Sequence, residues 1–132
     1  MNKWPTISNA AEAVAVLRPA IPKRLLNKQE CFVASYLDAK HRSIKKPTVV
    51  AIGSLASVDV HPRDIFREAI RLNCAAIIVA HNHPSGELLF SLMDKTLTAR
   101  VKQVGELLGI PLLDSIIITK DGYRSLAETE GL

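Results

Sequence analysis

Two histidines lie two positions apart where an apolar stretch of the sequence ends. The stretch reads AIIVAHNHPSG over residues 76–86, with His81 and His83 on either side of Asn82. In an extended chain, residues i and i+2 point to the same side, so both imidazoles face one way and Asn82 faces the other. Imidazole nitrogens are frequent ligands of transition metals, and this spacing therefore indicates a candidate metal site.

A carboxylate follows at a distance that lets it join the two histidines. Pro84 and Gly86 predict a turn, and a helix is expected to begin near Ser91 with Asp94 in its first turn. Two imidazoles and one carboxylate, with a fourth position open to water, match a catalytic zinc site better than a closed structural one. Ser91 and Asp94 are also spaced as a helix-capping pair, so spacing alone leaves both interpretations open.

Hydrolysis at such a site requires a general base that is not itself a metal ligand. Bound zinc lowers the pKa of water to about 7, which makes a hydroxide nucleophile available at neutral pH. Glu30 is our candidate for the base because it is an acid at the head of the first long apolar strand. Functional sites collect at strand ends near a switch in strand order, and Glu30 is expected at such an end.

The first half of the chain predicts one helix followed by a hairpin. Asn9 and Glu12 form a capping-box pattern that begins a helix, and Pro19 ends it. A connector follows over residues 22–29. Residues 30–39 and 47–55 are rich in β-formers and are separated by turn residues, which predicts two antiparallel strands.

The second half predicts alternating strands and helices. The expected elements are a helix beginning at Pro62, a buried strand over residues 74–80, a long helix from Ser91 to Gly109, and strands over 112–119 and 123–128. Helices that separate apolar strands favour a mixed sheet covered on both faces. The prediction is therefore a three-layer α/β/α fold with a mixed β-sheet.

Composition limits the class of protein. The 132 residues fit one domain, and 48% hydrophobic residues with only 5% aromatics predict a core of Ile, Leu, Val and Ala. The net charge of +4 permits a nucleic-acid partner but gives it only weak support. Cys31 and Cys74 lie in apolar runs without C-x-x-C spacing, which predicts reduced thiols. With no apolar signal core and no run of about 18 apolar residues, we expect a cytoplasmic protein without a membrane span.

The segment HNHPSGELLFSLMD resembles the JAMM motif, H-x-H-P-x₆-S-x₂-D, of the JAB/MPN metalloprotease domains. Every motif position is matched, at His81, His83, Pro84, Ser91 and Asp94. The wider segments ECFVASYLDAKHR, VHPRDIFREAIRLNCAAIIVAHNHPSG, LTARVKQVGELLGIPLLDSIIIT and GYRSL resemble the bacterial RadC family, the UPF0758 group. The resemblance predicts an N-terminal helix and connector over residues 1–29 and a RadC-like JAB/MPN domain over residues 30–132.

The resemblance implies a zinc-dependent hydrolase of peptide or isopeptide bonds, on a fold similar to that of cytidine deaminases. It implies that His81, His83 and Asp94 bind Zn²⁺ and that Glu30 is the general acid/base. It also implies that Ser91 donates a hydrogen bond to the oxyanion of the tetrahedral intermediate. The expected partner is a protein or peptide substrate that these residues do not identify, and they predict no oligomeric state.

The chain departs from the RadC pattern in two places. RadC relatives usually read D-P-T-P between the glycine and the serine, whereas this chain has Glu87, Leu88, Leu89 and Phe90. The loss of two prolines is expected to soften this loop, and three apolar side chains are expected near the site. Full-length RadC proteins also carry a helix-hairpin-helix region, and here only a short helix precedes the domain, so the chain resembles stand-alone RadC domains.

Two other functions are considered beside the hydrolase. The family name suggests a DNA-repair accessory protein, and some MPN domains are non-catalytic interaction modules. A base deaminase is excluded because the H-x-E and P-C-x-x-C motifs are missing from the sequence. The remaining histidines have structural interpretations, since His61 precedes Pro62 at a helix-capping position and His41 lies in a predicted turn.

Overall fold

The apolar segments pair into a mixed sheet in the computed structural model, which describes residues 2–53 and 60–132. The described residues form five strands in the spatial order β2-β1-β3-β4-β5. Their bounds are β1 Glu30–Leu37, β2 Thr48–Gly53, β3 Ala76–Asn82, β4 Leu112–Ile118 and β5 Tyr123–Ser125. β1 pairs antiparallel with β2 and β3, β3 pairs parallel with β4, and β4 pairs antiparallel with β5. The predicted hairpin and mixed sheet are confirmed, and the last two residues assigned to the second strand lie outside the described residues.

Helices cover both faces of the sheet, which confirms the three-layer α/β/α fold. Their bounds are α1 Ala10–Leu17, α2 Pro62–Arg71, α3 Leu92–Leu108 and α4 Leu126–Thr129, with a 3₁₀ turn at Arg18–Ala20. α1 packs on one face, where one set of alternate residues of β1 and β3 points. The other set packs against α2 and α3. The boundary between residues 29 and 30 stays a prediction, although α1 shares a core with the sheet.

The central strand β3 is buried along its whole length. All seven of its residues are buried, as expected for a strand with partners on both sides and helices on both faces. It crosses to β4 through α3, which is capped by Ser91 at its N-terminus and by Gly109, in the left-handed conformation, at its C-terminus. No helix of the described residues is long and apolar enough to cross a bilayer.

The predicted strand over residues 123–128 is wrong in its second half. Only Tyr123–Ser125 is extended, and Leu126–Thr129 forms the short helix α4. The Ser125 hydroxyl accepts from Glu128 N at 3.1 Å and donates to the carboxylate of Asp114, which also accepts from Ala127 N at 3.0 Å. A buried carboxylate on β4 therefore holds the helical turn, and this long-range contact is invisible to local β-propensity.

Several local predictions are confirmed. His61 is the N-cap of α2, where its backbone N–H donates to the Asp64 carboxylate at 2.9 Å. His41 lies between β1 and β2 with a φ of 59°. Cys31 and Cys74 are both free and buried.

Gly105 allows α3 to pass close to the chain that follows it. A Cβ at this position would lie 2.5 Å from the carbonyl oxygen of Ile110, which is a backbone atom that cannot rotate away. An ordinary Gly→Ala change in a helix interior stabilises it by up to about 1 kcal/mol. We expect Gly105→Ala to lower the free energy of unfolding by about 1–3 kcal/mol instead, because of overpacking. Denaturant unfolding measures this change. Glu106→Ala, at an exposed position of α3, is the control and should stay within about 0.5 kcal/mol of wild type. An unchanged or raised unfolding midpoint for Gly105→Ala would contradict the close approach.

Candidate metal centre

The two histidines leave the sheet on the same side, as the i, i+2 spacing predicts. His81 pairs with Phe32 on one side and Ile117 on the other, and the His83 N–H donates to the carbonyl of Ile118 at 3.2 Å. Extended backbone therefore continues through both residues. Their Nε2 atoms lie 3.0 Å apart, and the Asn82 side chain points to the opposite face.

Asp94 both caps α3 and reaches the histidines. Its Oδ2 accepts from the Ser91 N–H at 2.9 Å, and its own N–H donates to the Ser91 hydroxyl at 3.0 Å, which is a complete capping box. The same carboxylate lies 3.3 Å from His81 Nε2 through Oδ1 and 3.2 Å from His83 Nε2 through Oδ2. The two interpretations that the spacing left open are therefore compatible, because one carboxylate makes both sets of contacts.

Glu30 reaches the same cluster from the start of β1. Its Oε1 lies 3.9 Å from His81 Nε2, and one donor atom from each of Glu30, His81, His83 and Asp94 lies within 4.8 Å of all the others. The side chains are 16%, 4%, 14% and 14% exposed, respectively. This cluster of imidazole and carboxylate ligands could hold a metal ion.

Burial and mutual charge set the protonation of the cluster. Burial alone would raise the pKa of Asp94, but hydrogen bonds from His81 and His83 outweigh it and hold that pKa far below its usual range. Burial lowers the pKa of His83, but the Asp94 carboxylate and the Glu87 carbonyl outweigh it and raise the pKa above 6.5. Burial raises the pKa of Glu30, against the smaller opposing effect of the nearby histidines. Asp94 is therefore ionised at neutral pH, as a metal ligand must be.

The partners of the ring nitrogens differ between the two histidines. His83 Nδ1 lies 2.9 Å from the carbonyl oxygen of Glu87. A carbonyl can only accept, so Nδ1 carries the hydrogen and the neutral ring presents the lone pair of Nε2 to the cluster. His81 Nδ1 is buried and has no hydrogen-bond partner among the described residues. The backbone therefore sets the tautomer of His83, while His81 is held by stacking on Phe32, with ring centroids 6.1 Å apart.

Comparison with known proteins identifies the family. Residues 7–132 match the family described as the RadC-like JAB domain. The chain belongs to the RadC-like JAB domain family. A UPF0758 protein of Syntrophotalea carbinolica is 44% identical over 102 residues, which cover 77% of this chain and 44% of that protein. A UPF0758 protein of Rubrobacter xylanophilus is 40% identical over 124 residues, or 94% of this chain and 52% of that protein. The chain thus spans about half the length of these relatives.

The side chains of residues 87–90, which depart from the RadC pattern, point alternately to the cavity and to the protein interior. Phe90 is buried in a small cluster with Ile117 and Leu126, and Leu88 packs against it. The Leu88 carbonyl also accepts from Arg124 at 3.3 Å. Among the three apolar residues of this segment, only Leu89 lines the cavity around the metal cluster.

The cavity around the cluster is large and has an apolar mouth. It has a volume of about 840 Å³ and is lined by all four residues of the cluster together with Ser91. Leu89, Leu92 and Met93 also line it and are 64%, 80% and 64% exposed. Exposed apolar side chains that adjoin a polar cluster are typical of a binding surface.

The structure brings together the five site residues that the sequence predicted, which are Glu30, His81, His83, Ser91 and Asp94. The sequence analysis missed the role of Asn82. This residue is fully buried and binds the backbone on both sides of Glu30. The available signal was an amide at the end of a strand predicted to be buried, because a buried polar side chain needs partners.

Cation binding is expected to release protons in a pH-dependent way. In the metal-free protein the pKa of His83 is raised above 6.5, so the ring is protonated below that pKa and must lose its proton to bind a metal. We therefore expect Zn²⁺ to bind more weakly at about pH 6 than at about pH 8.5, and we expect His83 to contribute a released proton at about pH 6 but not at about pH 8.5. Calorimetry in buffers of different ionisation enthalpy measures the release.

Two variants define the source of these protons. His41→Asn changes a histidine outside the cavity, at a positive φ that asparagine tolerates, and should reproduce the wild-type profile. His83→Ala should bind Zn²⁺ more weakly and release fewer protons than the wild type at about pH 6. Equal proton release by the wild type and His83→Ala at about pH 6 would contradict the role assigned to His83.

Proposed function

We propose that this chain is a zinc-dependent hydrolase of peptide or isopeptide bonds. The observation that supports this best is the close arrangement of three ligand side chains, with a further carboxylate just outside them. His81 Nε2 lies 3.0 Å from His83 Nε2 and 3.3 Å from Asp94 Oδ1, and His83 Nε2 lies 3.2 Å from Asp94 Oδ2. Glu30 Oε1 is farther away, at 3.9 Å from His81 Nε2.

Zinc fits this donor set in chemistry and in spacing. Ligand atoms at about 2.0–2.1 Å from a tetrahedral zinc ion lie about 3.3–3.4 Å from one another, close to the separations found here. Two imidazoles and one carboxylate form a ligand set used by catalytic zinc enzymes. His81, His83 and Asp94 are therefore the proposed ligands, and the larger separation of Glu30 supports its assignment as the base.

Each residue of the cluster then has a chemical task. Zinc held there would lower the pKa of a bound water molecule and would polarise the carbonyl of the scissile bond. Glu30 would accept the proton of the attacking water and transfer it to the nitrogen of the leaving amine. Partial burial of Glu30 supports this shuttle, because it raises the pKa of the carboxyl group toward neutral pH.

The Ser91 hydroxyl is the proposed donor to the oxyanion. Its oxygen accepts from the Asp94 N–H, which leaves the hydroxyl hydrogen available to a substrate in the cavity that Ser91 lines. A donor aimed at developing negative charge is worth about 2.7–4 kcal/mol in comparable enzymes.

The apolar mouth of the cavity favours a polypeptide substrate. Leu89, Leu92 and Met93 offer contact area for an apolar side chain beside the scissile amide. The alternatives have less support. An interaction module requires no ionised ligand cluster, and a DNA-repair accessory function has the family name and the mild basicity of the chain in its favour. Two free buried thiols are compatible with the proposed cytoplasmic location.

Glu30→Gln should separate catalysis from metal binding. Glutamine keeps the size of the side chain but cannot accept the proton, so we expect hydrolysis to fall by about 10²–10⁴-fold while one zinc ion is retained. A quenched-fluorescence peptide library measures the rate, and atomic absorption measures the zinc. Glu106→Gln changes an exposed carboxylate of α3 and is the control that keeps full activity. Wild-type protein that binds no zinc at micromolar metal would refute the proposed function.

Ser91→Ala should lose both a helix cap and the oxyanion donor. We expect a stability loss of about 1 kcal/mol from the cap and a fall in kcat of about 10²-fold or more from the donor. Asn9→Ala is the matched control, because Asn9 caps α1 by accepting from Glu12 N at 2.9 Å and does not line the cavity. It should lose similar stability and no activity. Equal activity of the two variants would remove Ser91 from the mechanism.

A further inference from the structure

The Asn82 side chain binds the backbone that carries Glu30. Asn82 is fully buried, and its Oδ1 accepts from the Cys31 N–H at 2.7 Å. Its Nδ2 donates to the carbonyl of Gln29 at 2.8 Å and to that of Leu26 at 2.9 Å. Its Nδ2 also lies 3.5 Å from the carbonyl oxygen of Leu25. The oxygen of the amide thus faces a donor and its nitrogen faces three acceptors, so the orientation of the amide is determined by chemistry.

These hydrogen bonds take the place of backbone pairing between β1 and β3 at the point where that pairing stops. The pairing of β1 with β3 begins at Phe32 opposite His81 and does not include the residues before Phe32. On that side of β1, Cys31 is held by the Asn82 side chain instead. The bonds to Gln29 and Cys31 flank Glu30, so one amide fixes the peptide groups on both sides of this residue.

The alternation of β3 couples this amide to the metal cluster. His81 and His83 point to the cluster, and Asn82, between them, points to the opposite face. The backbone that carries the proposed ligands thus also carries the group that anchors Glu30. Glu30 is 51 positions away from His81 in sequence, and the short segment 82–83 has no other contact of this kind with residues 29–31 among the described hydrogen bonds.

We propose that Asn82 is a positioning residue that fixes the Glu30 carboxylate beside the two histidines. This inference rests on the proposed function for its catalytic consequence, but its structural content stands independently of activity. Without the amide, the segment 25–31 loses its four hydrogen bonds to the Asn82 side chain. The backbone of Glu30 is then held in the sheet only from the other side, by its pairing with Gly53 of β2, and we expect its carboxylate to lose its defined position beside His81. The histidines are still held by the pairing of their backbone with β4, and Asp94 is still held by the capping box with Ser91.

The test compares Asn82→Ala with Ser35→Ala. Ser35 is also fully buried and belongs to β1, but its hydroxyl bonds Ser43, away from the cluster. In crystals of Asn82→Ala we expect the Glu30 carboxylate to move away from His81 while His81, His83 and Asp94 stay together. Amide exchange at Cys31 should become at least tenfold faster, and Zn²⁺ affinity, measured against a chromophoric chelator, should stay within about threefold of wild type. Ser35→Ala should leave the Glu30 position and Cys31 exchange unchanged.

A double-mutant cycle connects positioning to catalysis. With the peptide library as probe, Asn82→Ala should lower kcat at least tenfold with little change in KM, and it should cause no further loss in the Glu30→Gln background. Should Asn82→Ala fail to fold, Asn82→Ser takes its place, because the serine side chain is too short to reach both the Cys31 N–H and the carbonyls of Leu26 and Gln29.

The outcomes distinguish this inference from the proposed function. A Glu30 carboxylate that stays beside His81 in the variant crystals, unchanged Cys31 exchange, or losses that add in the cycle would each overturn the positioning role. A wild-type protein that cleaves nothing in the library would refute the proposed function, and the crystal and exchange measurements would still decide whether Asn82 positions Glu30.

Discussion

The two-residue period of strand β3 is the constraint on which the site depends. It directs His81 and His83 to one face and Asn82 to the other, so neighbouring residues serve different parts of one site. The strand is central and fully buried, with β1 and β4 on either side, and this placement removes its freedom to slip in register. A shift by one residue would exchange the histidines with Asn82 and destroy the cluster.

The start of α3 supplies the second constraint. The Asp94 carboxylate accepts from the Ser91 N–H and contacts both histidines, so helix capping and assembly of the cluster use the same atoms. A helix N-terminus favours negative charge, which agrees with the lowered pKa of Asp94. The place where the helix begins therefore decides where the third proposed ligand lies.

Glu30 and Asp94 are both half-buried carboxylates, yet their environments separate them. Hydrogen bonds from two imidazoles outweigh burial at Asp94, whereas burial has the largest effect at Glu30 and raises its pKa. Two acids whose environments push their pKa values apart suit different tasks. In the proposed mechanism one binds the metal as an anion and the other exchanges a proton.

Most of the fold could be predicted from local sequence, because apolar periodicity, turn residues and helix caps act over a few positions. The strand that ends at the histidines, the turn at Pro84 and Gly86, and the cap at Ser91 all follow from such short-range patterns. The prediction of a strand through residue 128 was wrong, because a distant carboxylate, Asp114, holds α4.

The sequence by itself determined which side chains leave β3 together and where α3 begins, since both depend on backbone geometry over adjacent residues. Only the tertiary structure decided that Glu30 lies 3.9 Å from His81 and that Asn82 holds the backbone around it. Those contacts join segments about fifty residues apart. They arise from the pairing of β1 with β3, and the relative placement of two strands is a property of the whole packed sheet that no local pattern contains.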